Sequence, residues 1–247
     1  MTEGYVWAVT AAGRVAFSGA DAPAVRAKTQ SELTAAKRPI NLKNADDQSV
    51  AGMLAVQDAC RRHNLSSQDL TEWGVLASPR TPGRSALVSA LERYKTEGAW
   101  GISPHVIPHY SLHSLAGLLS VAFNFQGPNL GVGGICGGEG EAWLVGSAWL
   151  AEGLVPGLWL VMTGWDGPSC KGVAIALERE TGVTHHSIAF CPPRRGANTF
   201  APAFSLESLD RLLALGHEVP MRSRWSLPGG AMLEWRTRCA AESRAAA

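Results

Sequence analysis

The stretch Gly127-Pro128-Asn129-Leu130-Gly131-Val132-Gly133-Gly134-Ile135-Cys136-Gly137-Gly138-Glu139 decides how this chain is read. Its short apolar run, 130–135, ends on a single cysteine. Gly137, Gly138 and Gly140 follow, and then an apolar segment of helical length begins. The pattern predicts a strand, a sharp turn and a helix, with Cys136 on the turn. Such a turn exposes a side chain above a sheet edge and points backbone N–H groups at it. A thiol placed there is favoured as the thiolate, because a helix N-terminus attracts negative charge. Glu139 and Glu141 work against this, because a carboxylate in the first helical turn raises the pKa of a nearby thiol.

Outward from the turn, residues 138–152 hold Ala142, Trp143, Val145, Gly146, Ala148 and Trp149. A helix so apolar all round is expected to be buried on every side. Upstream, Leu112, Leu115, Ala116, Leu119 and Phe123 are spaced for a buried helix. Pro104 and Pro108 punctuate the loop before it, and Pro108 suits a helix start. His105, His109 and His113 recur every four residues. Pro108 interrupts a regular helix through His105, which leaves His109 and His113 as the pair able to share a face.

This stretch resembles the active-site elbow of β-ketoacyl synthases, the condensing enzymes of fatty acid and polyketide synthesis. The segment Pro104-His105-Val106-Ile107-Pro108 before it is similar to theirs. So is Gly153-Leu154-Val155-Pro156-Gly157-Leu158-Trp159-Leu160-Val161-Met162-Thr163-Gly164 after it. The resemblance runs in order over residues 1–180 and implies an α/β, thiolase-like fold matching the N-terminal half of such an enzyme. Residues 1–182 are then the half-thiolase domain, and 183–247 an extension packed on the same domain. The family's second half, with its His-Gly-Thr-Gly-Thr-like and Asn-x-Gly-Phe-Gly-Gly-like motifs, has no counterpart. None of the seven histidines stands in the context of a catalytic one.

The resemblance implies a chain-length-factor-like subunit. It would pair with a full ketosynthase, or with a second copy, and serve an acyl carrier protein in fatty acid, polyketide or aryl polyene synthesis. Cys136 is the candidate nucleophile or its relic, and His109, His113, Gly134, Gly137 and Glu139 are pocket or interface residues. Arg194-Arg195 is a candidate contact for an acidic carrier protein. Two alternatives stand beside this. One is an acyltransferase or condensing enzyme that uses Cys136. The other is a scaffold whose pocket is filled by Trp143, Trp149 and Trp159.

Composition narrows the classes. The 247 residues, 46% hydrophobic, suffice for a large core. A net charge of +1 gives no electrostatic case for nucleic acid. The five cysteines form no C-x-x-C pair, so neither a disulfide framework nor a structural zinc site is expected, and a reducing cytoplasm fits. No metal or cofactor is expected. The sequence lacks a signal-peptide pattern at Met1-Thr2-Glu3-Gly4 and has no apolar run long enough for a membrane span.

Elsewhere, residues 5–10 and 14–17 flank Ala11-Ala12-Gly13 as a hairpin, and 19–45 read as loop with a short helix. A helix starts at Asp46-Asp47 and ends at His63-Asn64. Strands are expected at 73–77, 158–162 and 172–178, the last alternating toward the surface, and at 183–190 and 231–235. Leu87, Val88, Leu91 and Tyr94 mark one more helix. Leu206, Leu209, Leu212 and Leu213 mark another, capped by Ser205. His185-His186 is expected at the surface, and 240–247 as a frayed end.

Overall fold

The computed structural model describes residues 4–35, 40–65, 70–135, 137–179, 186–193, 201–215 and 221–237. Cys136, His185, Arg194, Arg195, His217 and the segment 240–247 lie outside these residues.

One mixed sheet runs through the molecule. Its strands are β1 (Tyr5–Ser18), β2 (Gly74–Pro79), β3 (Asn129–Gly131), β4 (Gly157–Asp166), β5 (Ser169–Arg179), β6 (His186–Cys191), β7 (Arg222–Ser226) and β8 (Met232–Thr237). They lie in the order β3-β2-β4-β5-β1-β6-β8-β7. β2 pairs parallel with β3 and β4, and every other pairing is antiparallel. Among the described residues the α-helices are α1 (Ala22–Ala35), α2 (Asp47–Arg62), α3 (Arg84–Glu97), α4 (Val106–Tyr110), α5 (Ser114–Phe123), α6 (Glu139–Ala151) and α7 (Leu206–Ala214). This is an α/β architecture with helices on both faces of the sheet.

Two cores follow from the alternation of side chains along the strands. On one face Leu76, Leu160, Ile175, Ile188 and Leu233 meet Trp143 of α6 and Leu206, Leu209 and Leu212 of α7. On the other, Val75, Trp159, Val161 and Ala174 meet Val50, Met53 and Val56 of α2 and Leu115 and Leu119 of α5. Six of the nine tryptophans are buried, so most of this residue type is core.

The expected N-terminal hairpin is instead one continuous strand. Gly13 lies mid-strand, because α2 crosses β1 so closely that a Cβ there would stand 2.2 Å from the Ala55 carbonyl oxygen. The glycine provides clearance, not a turn. A bulge between Val9 and Ala11 bends the strand. The short helix expected within residues 19–45 is the 14-residue α1, longer than the polar sequence suggests. β5 does not alternate toward solvent, because helices cover both its faces and most of its length is buried. α6 is not buried all round either, since Glu141 and Ala148 are exposed and Trp149 is half-buried. His186 is buried, with Nδ1 bonded to Thr237 Oγ1 at 3.2 Å and its ring against Trp235.

The strands after residue 185 join the same sheet. β6 pairs with β1 over residues 5–8, and β8 and β7 extend the ladder outward. α7 forms as its sequence predicts. Ser205 accepts from the Ser208 N–H at 3.2 Å while the Ser208 hydroxyl returns to the Ser205 backbone, a capping box.

Candidate functional site

The elbow stands where β3, the short edge strand, leads toward α6. Val132 N–H bonds to the Ala77 carbonyl, and Thr81 N–H bonds to the Gly134 carbonyl, each at 2.9 Å. These bonds hold the segment against the end of β2. Gly133 and Gly134 adopt φ of 81° and 91°, which only glycine takes up without strain. The turn from Ile135 closes through Gly138 N–H to the Ile135 carbonyl at 3.1 Å, with Gly137 also left-handed at φ 81°. Its chain neighbours aside, no described heavy atom lies within 4 Å of where a Gly137 Cβ would be, and Gly137 is exposed. Cys136 itself lies outside the described residues.

Glu139 begins α6 and is only 1% exposed. Its Oε1 accepts from Arg80 Nε at 2.9 Å and also from Arg80 Nη2. The same guanidinium forks onto Glu207 of α7, with Nη1 to Oε1 at 2.6 Å and Nη2 to Oε2 at 3.1 Å. Arg80 is held by its backbone as well. Its N–H donates to the Thr163 carbonyl at 2.8 Å, and its carbonyl accepts from Gln48 Nε2 at 2.9 Å. The two carboxylates raise the Arg80 pKa, that of Glu207 first. Arg80 in turn holds Glu207 at about 2. Glu139 Oε2 is buried and has no hydrogen-bond partner among the described residues.

Glu139, expected to oppose a thiolate at Cys136, is held in an ion pair with Arg80, which it shares with Glu207. Glu141 is exposed. Sequence reading missed Arg80, since nothing local marks an arginine that is 59 residues from one partner and 127 from the other.

α7 and the loop before β8 close one side of the elbow helix. A Cβ on Gly140 would meet Pro228 Cδ at 2.6 Å, so this part of the chain packs directly on the first turn of α6.

His109 and His113 do not share one helix. α4 ends at Tyr110, Ser111 is extended, and His113 caps α5. The ring nearest His109 on this side is that of His105, at 5.8 Å. Both His109 and His113 nevertheless line one groove of about 540 Å³, together with Ile40, Ile107, Leu118 and Val121. Among the described residues, no group of three or more His, Cys, Asp or Glu side chains is arranged to hold a metal ion. No described helix is long and apolar enough to cross a membrane.

Exposed apolar side chains are concentrated in one part of the described chain. Of the twelve large ones among the described residues, eight fall within residues 88–135: Val88, Leu91, Tyr94, Trp100, Ile107, Val121, Leu130 and Ile135. α3 buries only Ala90 among its 14 residues, and Trp100 is 98% exposed.

No family model matches the sequence, and no curated protein does. Solved structures do match. The chain is similar to the ishigamide ketosynthase/chain length factor, with a TM-score of 0.58 at 10% identity over 94% of this chain and 99% of the other. It is similar to the ketosynthase ApeO in complex with its chain length factor ApeC from Xenorhabdus doucetiae, with a TM-score of 0.56 at 13% identity over 96% and 100%. A third match is the complex AntDE:AntF, a type II polyketide synthase acyl carrier protein with its ketosynthase bound to the hexaketide. Its TM-score is 0.54 at 16% identity over 71% of this chain, which spans 63% of the length of that one. The fold is thus the thiolase-like α/β fold of ketosynthases and chain length factors.

Proposed function

We propose that this protein is an accessory, chain-length-factor-like subunit. It pairs with a full ketosynthase and shapes the pocket that holds a growing acyl chain. The observation that carries this reading is the set of exposed apolar side chains within residues 88–135, which includes Leu130 of the edge strand β3. Exposed patches of this kind on soluble chains mark association sites, and an edge strand offers unpaired backbone groups to a neighbour. The groove holding His109 and His113 would line the acyl pocket. Gly134 and Gly137 shape the turn above it. The elbow supports an accessory part, because Glu139 is tied through Arg80 to this chain's own α7, and α7 with Pro228 closes one side of α6. The solved ketosynthase and chain length factor structures, similar along nearly their whole length, fit the same reading.

The exposure of Gly137 favours a second reading, in which Cys136 accepts an acyl group. The step would be thiolate attack on an acyl carrier thioester, with the carrier thiolate leaving. Intact-mass spectrometry separates the two. The chain is incubated with acyl-carrier-protein thioesters, alone and with a co-encoded ketosynthase. The accessory reading expects a stable complex, no acyl mass on this chain, and most activity retained in Cys136→Ala. An acyl adduct that vanishes in Cys136→Ala would overturn it in favour of the enzyme. In the active complex, His109→Phe and His113→Phe should shift the product length.

A further inference from the structure

The β7–β8 hairpin forms the opposite end of the sheet from β3. Trp225, Leu233 and Trp235 point to the core shared with α6 and α7. The other face of the hairpin carries Arg222 and Arg224 on β7 opposite Arg236 and Glu234 on β8. No residue of β6, β7 or β8 belongs to the core built by α1, α2 and α5, so that core does not extend over this face. Arg222 and Arg236 are direct cross-strand partners, a like-charge pairing that weakens a sheet. Glu234, 5% exposed, accepts from Arg222 Nε at 2.6 Å, Arg224 Nε at 2.5 Å and Arg236 Nε at 2.5 Å. One carboxylate offsets one of the three charges. Among the described residues the patch keeps two positive charges, in a chain whose whole net charge is +1. The arginine side chains remain 58%, 57% and 41% exposed. Each guanidinium offers about five N–H donors and a carboxylate about four acceptor sites, so most donors are unused by Glu234.

We propose that Arg222, Arg224 and Arg236 form a docking surface for an acidic protein partner, whose carboxylates take the donors that Glu234 leaves over. A protein fits better than the other polyanions. Duplex nucleic acid binding rests on roughly six to ten phosphate contacts, and anionic membranes are read by about four to eight clustered basic residues. Three forked guanidiniums on a sheet face suit a few carboxylates held in fixed geometry. The proposal is independent of the pairing read from residues 88–135, and each can fail alone.

The test is fluorescence anisotropy at low salt with a labelled helical peptide bearing a Glu/Asp face, and the same helix with lysines in those places. The acidic peptide should bind the full chain and the lysine peptide should not. Arg222→Gln with Arg224→Gln should weaken binding about tenfold or more. Glu234→Gln should tighten it severalfold, because it frees the arginines. The second variant keeps the test decisive if the double arginine variant unfolds in a thermal melt. If the arginines serve only to neutralise Glu234, folded Glu234→Gln will bind no more tightly than the parent, and the proposal fails. It also fails if the folded double variant binds like the parent. Tighter binding to a DNA duplex or to phosphatidylserine vesicles at the same salt would overturn the choice of partner.

Discussion

Arg80 Nε donates to Glu139 Oε1 at 2.9 Å and ties the end of β2 to the first turn of the elbow helix. Glu139 is almost wholly buried and Arg80 nearly so. Removing one partner of a buried pair leaves an uncompensated charge and costs about 3–5 kcal/mol. Arg80→Leu should therefore lower the thermal midpoint by roughly 6–20 °C. Adding Glu139→Gln to that variant should recover a good part of the loss. A double variant no more stable than Arg80→Leu alone would show that Glu139 carries no buried charge.

Glu207 gives this network a pH dependence. Its carboxyl is held at about 2, chiefly by the hydrogen bond from Arg80, well below the usual 4.5 of a free glutamate. A depressed folded pKa adds stability that is present above the unfolded value and lost as the pH falls through the folded one. The contribution should thus fade between about pH 4.5 and 2. Acid titrations of the parent and of Glu207→Gln, followed by circular dichroism, should converge across that window. A constant gap down to pH 2 would mean that Glu207 is not titrating there.

Asp46 carries the opposite sign. Burial, reinforced by Asp47, raises its carboxyl to about 6 despite the backbone N–H of Gly83 at 3.4 Å. A raised pKa means that folding favours the protonated form. The charged form costs stability as the pH rises from 3.8 through about 6. Asp46→Asn should stabilise the protein at pH 7.5 by up to about 2–3 kcal/mol, with the gain vanishing near pH 4. Urea unfolding at the two pH values measures this. A gain of equal size at both would point to backbone capping instead.

Much of this was legible in the sequence where the signal is local. The glycines around Cys136 marked the elbow, and Ser205 with its leucines marked α7, because turns and caps are written in neighbouring residues. Signals that depend on distant packing were not legible. Gly13 looks like a turn residue until α2 is laid across it. β7, Arg222-Ser-Arg-Trp-Ser, has too few apolar residues to read as a strand, and it forms because β8 pairs with it. Arg80 has no local mark, since both its carboxylates come from elements far along the chain. The spacing of His109 and His113 promised a shared helix face, but the break at Ser111 places them on separate helices that meet at one groove.

The exposed apolar surface along residues 88–135 bears directly on the accessory-subunit reading. Leu91 of α3, Trp100 after it and Val121 of α5 are each more than half exposed. Substituting them to polar residues removes little of this chain's own packing, so the melting temperature should stay within about 2 °C. In a complex the same side chains become buried contacts, and interface tryptophans often act as hot spots. Trp100→Glu and Leu91→Asp should each weaken the complex with a co-encoded ketosynthase at least about tenfold, or 1.4 kcal/mol, as measured by isothermal titration calorimetry. Val121→Asp should do the same if α5 lies within the interface. Substitution of an exposed residue outside this set, such as Leu215→Asp, is the control and should leave affinity unchanged. If the three variants bind the ketosynthase as the parent does, the partner does not cover these residues, and the reading built on that surface falls.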